Sequence, residues 1–137
     1  MYDPIRASDA VIQRLRANHP SLIDLTTGRI WYADYKEMLS ADDGRPGTLA
    51  EKHDVKILWH NPHDTPDAGN KVYDTMFPIA EAAYHFRGGK DPDLPGTSLV
   101  SGSGRADAHV ASDAAGELYI FTKTDGILRA VVGGTIK

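Results

Sequence analysis

Residues 108–132 read AHVASDAAGELYIFTKTDGILRAVV, and the fold class is predicted mainly from this segment. Three β-rich runs in it are separated by two short joints, residues 113–116 and 123–126. An Asp-Gly pair between two apolar-rich runs, as at Asp125 and Gly126, is a strong signal for a β-hairpin. The pattern therefore predicts an antiparallel β-meander, which we place at residues 99–133.

Upstream of the meander, residues 22–35 contain two β-rich runs on either side of a turn that includes Gly28. These runs predict a second hairpin. Apolar residues at helical spacing, preceded by polar capping residues, predict short helices near residues 9–18 and 75–87. Residues 36–53 are polar and rich in turn-forming residues, so we expect loop structure there.

The chain of 137 residues fits one domain. Its expected parts are an N-terminal helix at 1–20, a hairpin and a strand at 22–60, a loop and a helix at 61–98, and the meander at 99–137. The predicted fold class is mainly β, of the α+β kind. Strands at about ten-residue spacing suggest a propeller blade or part of a sandwich.

Composition excludes several classes of function. Apolar residues make up 41% of the chain and charged residues 25%, which is typical of a globular protein. The net charge of -4 argues against nucleic-acid binding, which depends on neutralising phosphates. With no cysteine, disulfides and thiolate sites are excluded, and no apolar run approaches the about 18 residues of a membrane span. The expected location is the cytoplasm, or the periplasm if a leader has been removed.

Four segments carry a family resemblance: GRAD at residues 104–107, DAAGELY at 113–119, KTDGILR at 123–129 and YHFRGGKDPDLPG at 84–96. Through them, residues 28–132 resemble the C-terminal part of a β-propeller of the soluble sugar dehydrogenase type. These pyrroloquinoline-quinone-dependent enzymes are also called glucose/sorbosone dehydrogenase-like proteins. The resemblance implies an architecture of one to two propeller blades with two short helices.

The same resemblance implies two alternative functions. Closed propellers have at least four blades of roughly 40 to 50 residues, so this chain holds at most two or three. The family's catalytic histidine and quinone site are built from several blades, and no catalytic residue can be mapped onto this chain. The first expectation is thus a non-catalytic, propeller-derived binding or structural module without a favoured cofactor. The alternative is a partial sugar oxidoreductase, dependent on quinone and calcium, that completes its site by oligomerisation.

Four residues are candidates for ligand binding. Arg105 and Asp107 follow a Gly- and Ser-rich segment, where the backbone can approach a ligand closely. Alternatively, the pair braces a turn that enters a strand. Trp31 and Tyr32 could stack on a sugar, as could Tyr35, Trp59 and Tyr119, although strand aromatics often belong to the core.

Four further residues are candidates for metal binding. His60, His63, Asp64 and Asp67 lie within eight residues of one another. Imidazoles and carboxylates are natural ligands of zinc and other divalent ions. Because prolines extend this segment and the spacing matches no standard site, the alternative is a solvated loop with hydrogen-bonding side chains.

Charged residues also surround the last joint of the meander. We expect Lys123, Asp125 and Arg129 to form a solvated turn.

An incomplete set of blades leaves strand edges unpaired, and exposed edges pair with other chains. We therefore expect a homodimer, in which residues 127–132 form the contact because this strand is apolar on both faces and ends the chain.

Overall fold

The computed structural model describes residues 4–16, 21–91, 94 and 105–134. Within these ranges, β-strands outnumber helices. The strands are β1 (Ile5–Ser8), β2 (Ser21–Ile23), β3 (Ile30–Tyr32), β4 (His53–Asp54), β5 (Ile57–Trp59), β6 (Lys71–Tyr73), β7 (Ala108–Ser112), β8 (Leu118–Thr122) and β9 (Ile127–Gly134). The α-helices are α1 (Asp9–Arg16), α2 (Tyr35–Ala41) and α3 (Phe77–Phe86), and a 3-10 turn spans Pro66–Ala68. None of these helices is long and apolar enough to cross a membrane.

The strands form two sheets. The larger has six strands in the order β6-β5-β1-β9-β8-β7, and the smaller has the order β2-β3-β4. β7, β8 and β9 are an antiparallel meander, so the mainly β prediction and its central element are confirmed. The part of the predicted meander at 99–104 lies outside the described residues.

One pairing departs from an antiparallel blade. β1 pairs parallel to β9, with Ile5 opposite Val131, and antiparallel to β5. β9 is therefore an interior strand, so residues 127–132 do not offer the unpaired strand edge through which the expected dimer contact would form. Pattern alone could not show this, because the partner β1 is far away in sequence. The homodimer stays a prediction, and the end strands of this sheet are β6 and β7.

The first hairpin is confirmed as β2 and β3. Its turn depends on Gly28, whose φ is +75°. A Cβ at this position would lie 2.5 Å from the Cβ of Met76, so the close approach of the segment before α3 also requires glycine. The Gly28 carbonyl accepts a hydrogen bond from the Met76 N–H at 3.0 Å, which ties α3 to this hairpin.

The two predicted helices are present as α1 and α3. The prediction of a loop at residues 36–53 is wrong for its first part, because α2 extends to Ala41. Asp34 starts this helix by accepting a hydrogen bond from the Lys36 N–H at 2.8 Å. Apolar residues at i, i+3 and i+4 follow from Tyr35, yet no residue of α2 is buried. The amphipathic spacing of a helix is thus present, but it extends over only seven residues.

The hydrophobic core joins both sheets to α1 and α3. Burying one large aliphatic side chain contributes roughly 1.5–3 kcal/mol, so this shared core supplies much of the fold's stability. Its buried members are Ile5, Ala7, Ile12, Ile30, Val55, Ile57, Trp59, Met76, Ile79, Ala106, Ala108, Leu118, Ile120 and Val131. The core fixes α3 against the strands, and this placement forms one wall of the crevice described next.

Candidate functional site

A crevice of about 290 Å³ lies between the loop after β5, the C-terminal half of α3 and the start of β9. Its walls are mainly apolar. The lining residues are Trp59, Asn61, Pro62, His63, Ala83, Phe86, Arg87 and Ile127. Mainly apolar concavities with a few polar groups are the usual form of small-molecule sites.

The wall opposite α3 is held by short-range hydrogen bonds. Trp59, the last residue of β5, is 2% exposed and meets Tyr73 edge to face. Next along the chain, the Asn61 side-chain oxygen accepts a hydrogen bond from the His63 N–H at 3.0 Å. The Asn61 carbonyl accepts one from the Asp64 N–H at 2.9 Å. This turn presents Pro62 and His63 to the crevice.

The facing wall is the end of α3. Ile79 and Ala80 are fully buried and anchor the helix, while the small Ala83 leaves space one turn later. The Phe86 ring stacks on the His63 ring with an interplanar angle of 8° and thereby joins the two walls. Phe86 is nevertheless 60% exposed, a large apolar surface that a ligand could cover.

Arg87 caps the C-terminus of α3 and supplies the positive charge of the crevice. Its backbone N–H donates to the Ala83 carbonyl at 3.3 Å, so the side chain leaves the helix at the edge of the site. In the described part of the chain, no acceptor pairs with its guanidinium group. An exposed, unpaired cation beside an apolar crevice is available to a ligand.

The last joint of the meander is not the solvated turn that we expected. Asp125 and Arg129 are each 1% exposed, and Arg129 Nη2 lies 2.8 Å from Asp125 Oδ2. The Thr122 hydroxyl donates to Asp125 Oδ1 at 2.6 Å and accepts from Arg129 Nη1 at 3.0 Å. The prediction was wrong for this pair because the alternation of β9 points Arg129 inward. Lys123 alone is exposed, as expected.

Arg105 and Asp107 are placed together. Arg105 Nη2 lies 2.8 Å from Asp107 Oδ1, an ion-pair contact without the geometry of a hydrogen bond. The Asp107 carbonyl accepts from the Lys123 N–H at 3.1 Å, and the Thr124 hydroxyl donates to the Arg105 carbonyl. Asp107 has φ +47°, a conformation unusual for a residue other than glycine. This arrangement resembles the brace that was the alternative interpretation.

Trp31 and Tyr32 lie on β3 and do not line the crevice. The Lys52 ammonium group sits over the Trp31 ring at 4.3 Å from its centroid. The Tyr32 ring stacks on His53 at 5.0 Å. Both aromatics are partly buried, and Tyr32 also packs against the hydrophobic core.

The four metal candidates have separate partners. His60 Nδ1 lies 2.7 Å from the Gly69 carbonyl, and His63 stacks on Phe86. Asp64 forms an ion pair with Lys71 at 3.6 Å, and Asp67 is exposed in the 3-10 turn. The structure thus does not draw these side chains together around a single point. Only His63 lines the crevice.

Two other groups bring three ligand atoms within 4.8 Å of one another among the described residues. They are Glu37 with Glu51 and His53, and Glu81 with His85 and Asp91. Each offers one imidazole and two carboxylates, donors suited to a divalent ion. Within each group, the histidine is bonded to one of the carboxylates.

The sequence did not predict this crevice. Of its lining residues, only Trp59 and His63 were candidates, for sugar stacking and for metal binding. Two local signals mark its walls: the Asn-Pro pair that turns the loop at 61–62, and the Phe-Arg-Gly-Gly end of α3 at 86–89. Neither signal shows that the two segments meet. Comparisons of the chain with protein-family models, with curated proteins and with solved structures find no match.

Proposed function

We propose that this protein is a non-catalytic binding module, derived from a propeller, whose ligand is a small, flat, mainly apolar molecule held in the crevice. The observation that carries this proposal is the crevice itself. Ligand sites commonly measure about 300–1,000 Å³. At about 290 Å³, this one suits a body of one or two fused rings.

The chemistry of the lining supports such a ligand. Aromatic rings favour offset stacked or edge-to-face contacts, and Trp59, His63 and Phe86 offer ring surfaces to the crevice. Covering the exposed part of Phe86 removes apolar area from water, which favours binding. Asn61 and Arg87 supply polar contacts that orient the ligand.

We infer the absence of catalysis from the same residues that line the crevice. Of the described residues around the crevice, His63 and Arg87 are the titratable ones, and the His63 ring is stacked on Phe86. General acid-base chemistry needs a group positioned to exchange a proton with the substrate, commonly oriented by a partner. One face of the His63 ring lies against Phe86, and none of its neighbours in the lining is a carboxylate.

The crevice lining also does not fit the calcium implied by the oxidoreductase alternative. Ca²⁺ takes six to eight oxygen ligands. Asn61 is the sole described lining residue with a side-chain oxygen. A site completed between chains would need its oxygen donors from elsewhere.

Two observations support the proposed descent from a propeller. They are the β7–β9 meander and the four sequence segments that carry the resemblance. The β7–β9 meander supplies three antiparallel strands of the kind found in a blade.

Equilibrium dialysis with 1-naphthaleneacetamide, a neutral two-ring probe, tests the proposal. Ala83→Phe should fill the crevice and abolish saturable binding, because Ala83 lines it. Ala114→Phe adds the same ring at an exposed position of the first joint and should leave binding unchanged. Circular dichroism of both variants checks the fold. No saturable binding by the natural chain, or equal binding by both variants, would refute the proposal.

A second assay separates the non-catalytic module from the oxidoreductase. The protein is mixed with pyrroloquinoline quinone, calcium, a panel of aldoses and a redox dye. We expect no dye reduction above the rate without protein. Reduction that depends on protein and quinone together would overturn the non-catalytic proposal.

A further inference from the structure

We propose that the ligand is an aromatic carboxylate, whose ring occupies the crevice and whose carboxylate is held by Arg87 and Lys123. This inference rests on the proposed binding function and adds the chemical class of the ligand. It comes from a second concavity that adjoins the first.

The second concavity is an open groove of about 510 Å³ at the end of α3. Its lining comprises Tyr84, Arg87, Gly88, Gly89, Lys123, Thr124, Asp125 and Gly126. Arg87 lines both the groove and the crevice. On the opposite side, Gly126 of the groove is followed directly by Ile127 of the crevice. The apolar and polar spaces are therefore adjacent at two points.

The groove has an excess of positive charge. Lys123, like Arg87, is exposed and has no hydrogen-bond or ion-pair partner for its side chain in the described part of the chain. The one acid in the lining, Asp125, is buried and bonded to Arg129 and Thr122. The charge of Asp125 is thus already compensated by Arg129, whereas those of Arg87 and Lys123 are not compensated by any described residue.

Acidic groups near the groove are also engaged. Asp91, which follows the Gly-Gly turn after α3, bonds to His85 rather than to Arg87. Asp107, whose carbonyl contacts the Lys123 N–H, has its carboxylate against Arg105. Among the described residues no acid is paired with Arg87 or Lys123, so these two cations can bind an external anion.

These two cations select a carboxylate attached to the ring. A guanidinium group matches the two oxygens of a carboxylate in a bidentate contact, and the ammonium group adds a point charge. Hydrogen bonds to charged partners are about twice as strong as neutral ones. We expect the charged ligand to bind about tenfold more tightly than a neutral ligand of the same shape.

The experiment compares 1-naphthaleneacetate with 1-naphthaleneacetamide by equilibrium dialysis. The two probes differ in charge but hardly in shape. The natural chain should bind the acetate about tenfold more tightly at low salt, and salt should reduce the difference because the cations are exposed. Lys123→Gln, which lies outside the crevice lining, should shrink the preference without changing acetamide binding, and Arg87→Gln should also shrink the preference. Lys36→Gln, which removes a lysine beside a different depression, should preserve the preference.

The outcomes keep the two proposals distinct. Equal affinity for the two probes would overturn the carboxylate inference and leave the binding function standing. Loss of the preference in Lys36→Gln as large as in Lys123→Gln would also overturn it, because general surface charge would then explain the effect. Absence of saturable acetamide binding by the natural chain would refute the binding function itself.

Discussion

The two joints of the β7–β9 meander each contain an aspartate and a glycine, yet their aspartates have opposite environments. In the joint between β7 and β8, Asp113 is exposed and accepts hydrogen bonds from the Ala115 and Glu117 N–H groups at 2.9 Å. In the joint between β8 and β9, Asp125 is 1% exposed and pairs with Arg129. The first joint is stabilised by exposed hydrogen bonds from backbone N–H groups and the Tyr119 hydroxyl, and the second by a buried ion pair with Arg129 of the following strand.

The sequence of a turn thus determines where the chain reverses but not how deeply the turn is buried. Both joints reverse the strand through a left-handed glycine, with φ +82° at Gly116 and +68° at Gly126. Only the second joint lines the groove beside the end of α3. Packing against a distant element therefore decides which joint contributes to the candidate site.

The largest expected effect comes from breaking the buried pair of the second joint. Arg129→Met should destabilise the fold by about 3–5 kcal/mol, because it leaves Asp125 buried without its ionic partner. Urea unfolding followed by circular dichroism measures the change. The double variant Asp125→Leu/Arg129→Met should recover part of the loss, since no buried charge then remains unpaired. A loss below about 1 kcal/mol in Arg129→Met would contradict the described burial.

Replacing the glycine of either joint should reduce the free energy of unfolding by a smaller amount, and this amount should be the same in both joints. Gly116→Ala and Gly126→Ala should each cost about 1–2 kcal/mol, because alanine is strained at a left-handed φ. A Cβ added at either position would meet no heavy atom within 4 Å, so backbone strain is the whole cost. The same urea unfolding measures both variants. A markedly greater loss for Gly126→Ala would show that the second joint is packed more tightly than described.

The smallest effect concerns pH at the first joint. The Glu117 N–H and then the Tyr119 hydroxyl stabilise the Asp113 carboxylate by hydrogen bonding and lower its pKa. Because the pKa is lower in the folded state, this contribution is present above the ordinary aspartate pKa of about 3.9. It is lost as the pH falls through the folded value.

Replacing this carboxylate should therefore make the stability of the fold decrease less as the pH is lowered. Thermal unfolding of Asp113→Asn between pH 2.5 and 6, about the range in which an aspartate titrates, should show a slightly smaller decline on acidification than the natural chain. The control is Asp67→Asn, which removes an exposed carboxylate from the 3-10 turn. An equal flattening in the control would argue against a special role of Asp113.

Local signals accounted for much of the fold. Asp-Gly joints, β-rich runs and helical spacing led to the meander, the first hairpin, α1 and α3. Short elements were missed: β1 has four residues and β6 three, too few for a clear periodicity. The parallel pairing of β1 with β9 was missed because it joins opposite ends of the chain.

Predicting the candidate site would have required still more contacts between residues that are distant in sequence. Trp59 and Ile127 are separated by most of the second half of the sequence, and their shared crevice follows from the placement of α3. Arg129 looked like a surface residue because its neighbours in sequence are those of a turn. Its burial follows from strand alternation combined with the packing of one sheet face.

We expect a ligand to bind beside the second joint of the meander and not beside the first. The most direct test is a titration of the ¹⁵N-labelled protein with 1-naphthaleneacetate, followed by amide chemical shifts. We predict saturable shifts at Asn61, Ala83, Arg87 and Ile127, which line the crevice, and unchanged shifts at Gly116. Shifts centred on the first joint, or none that saturate, would contradict the claim.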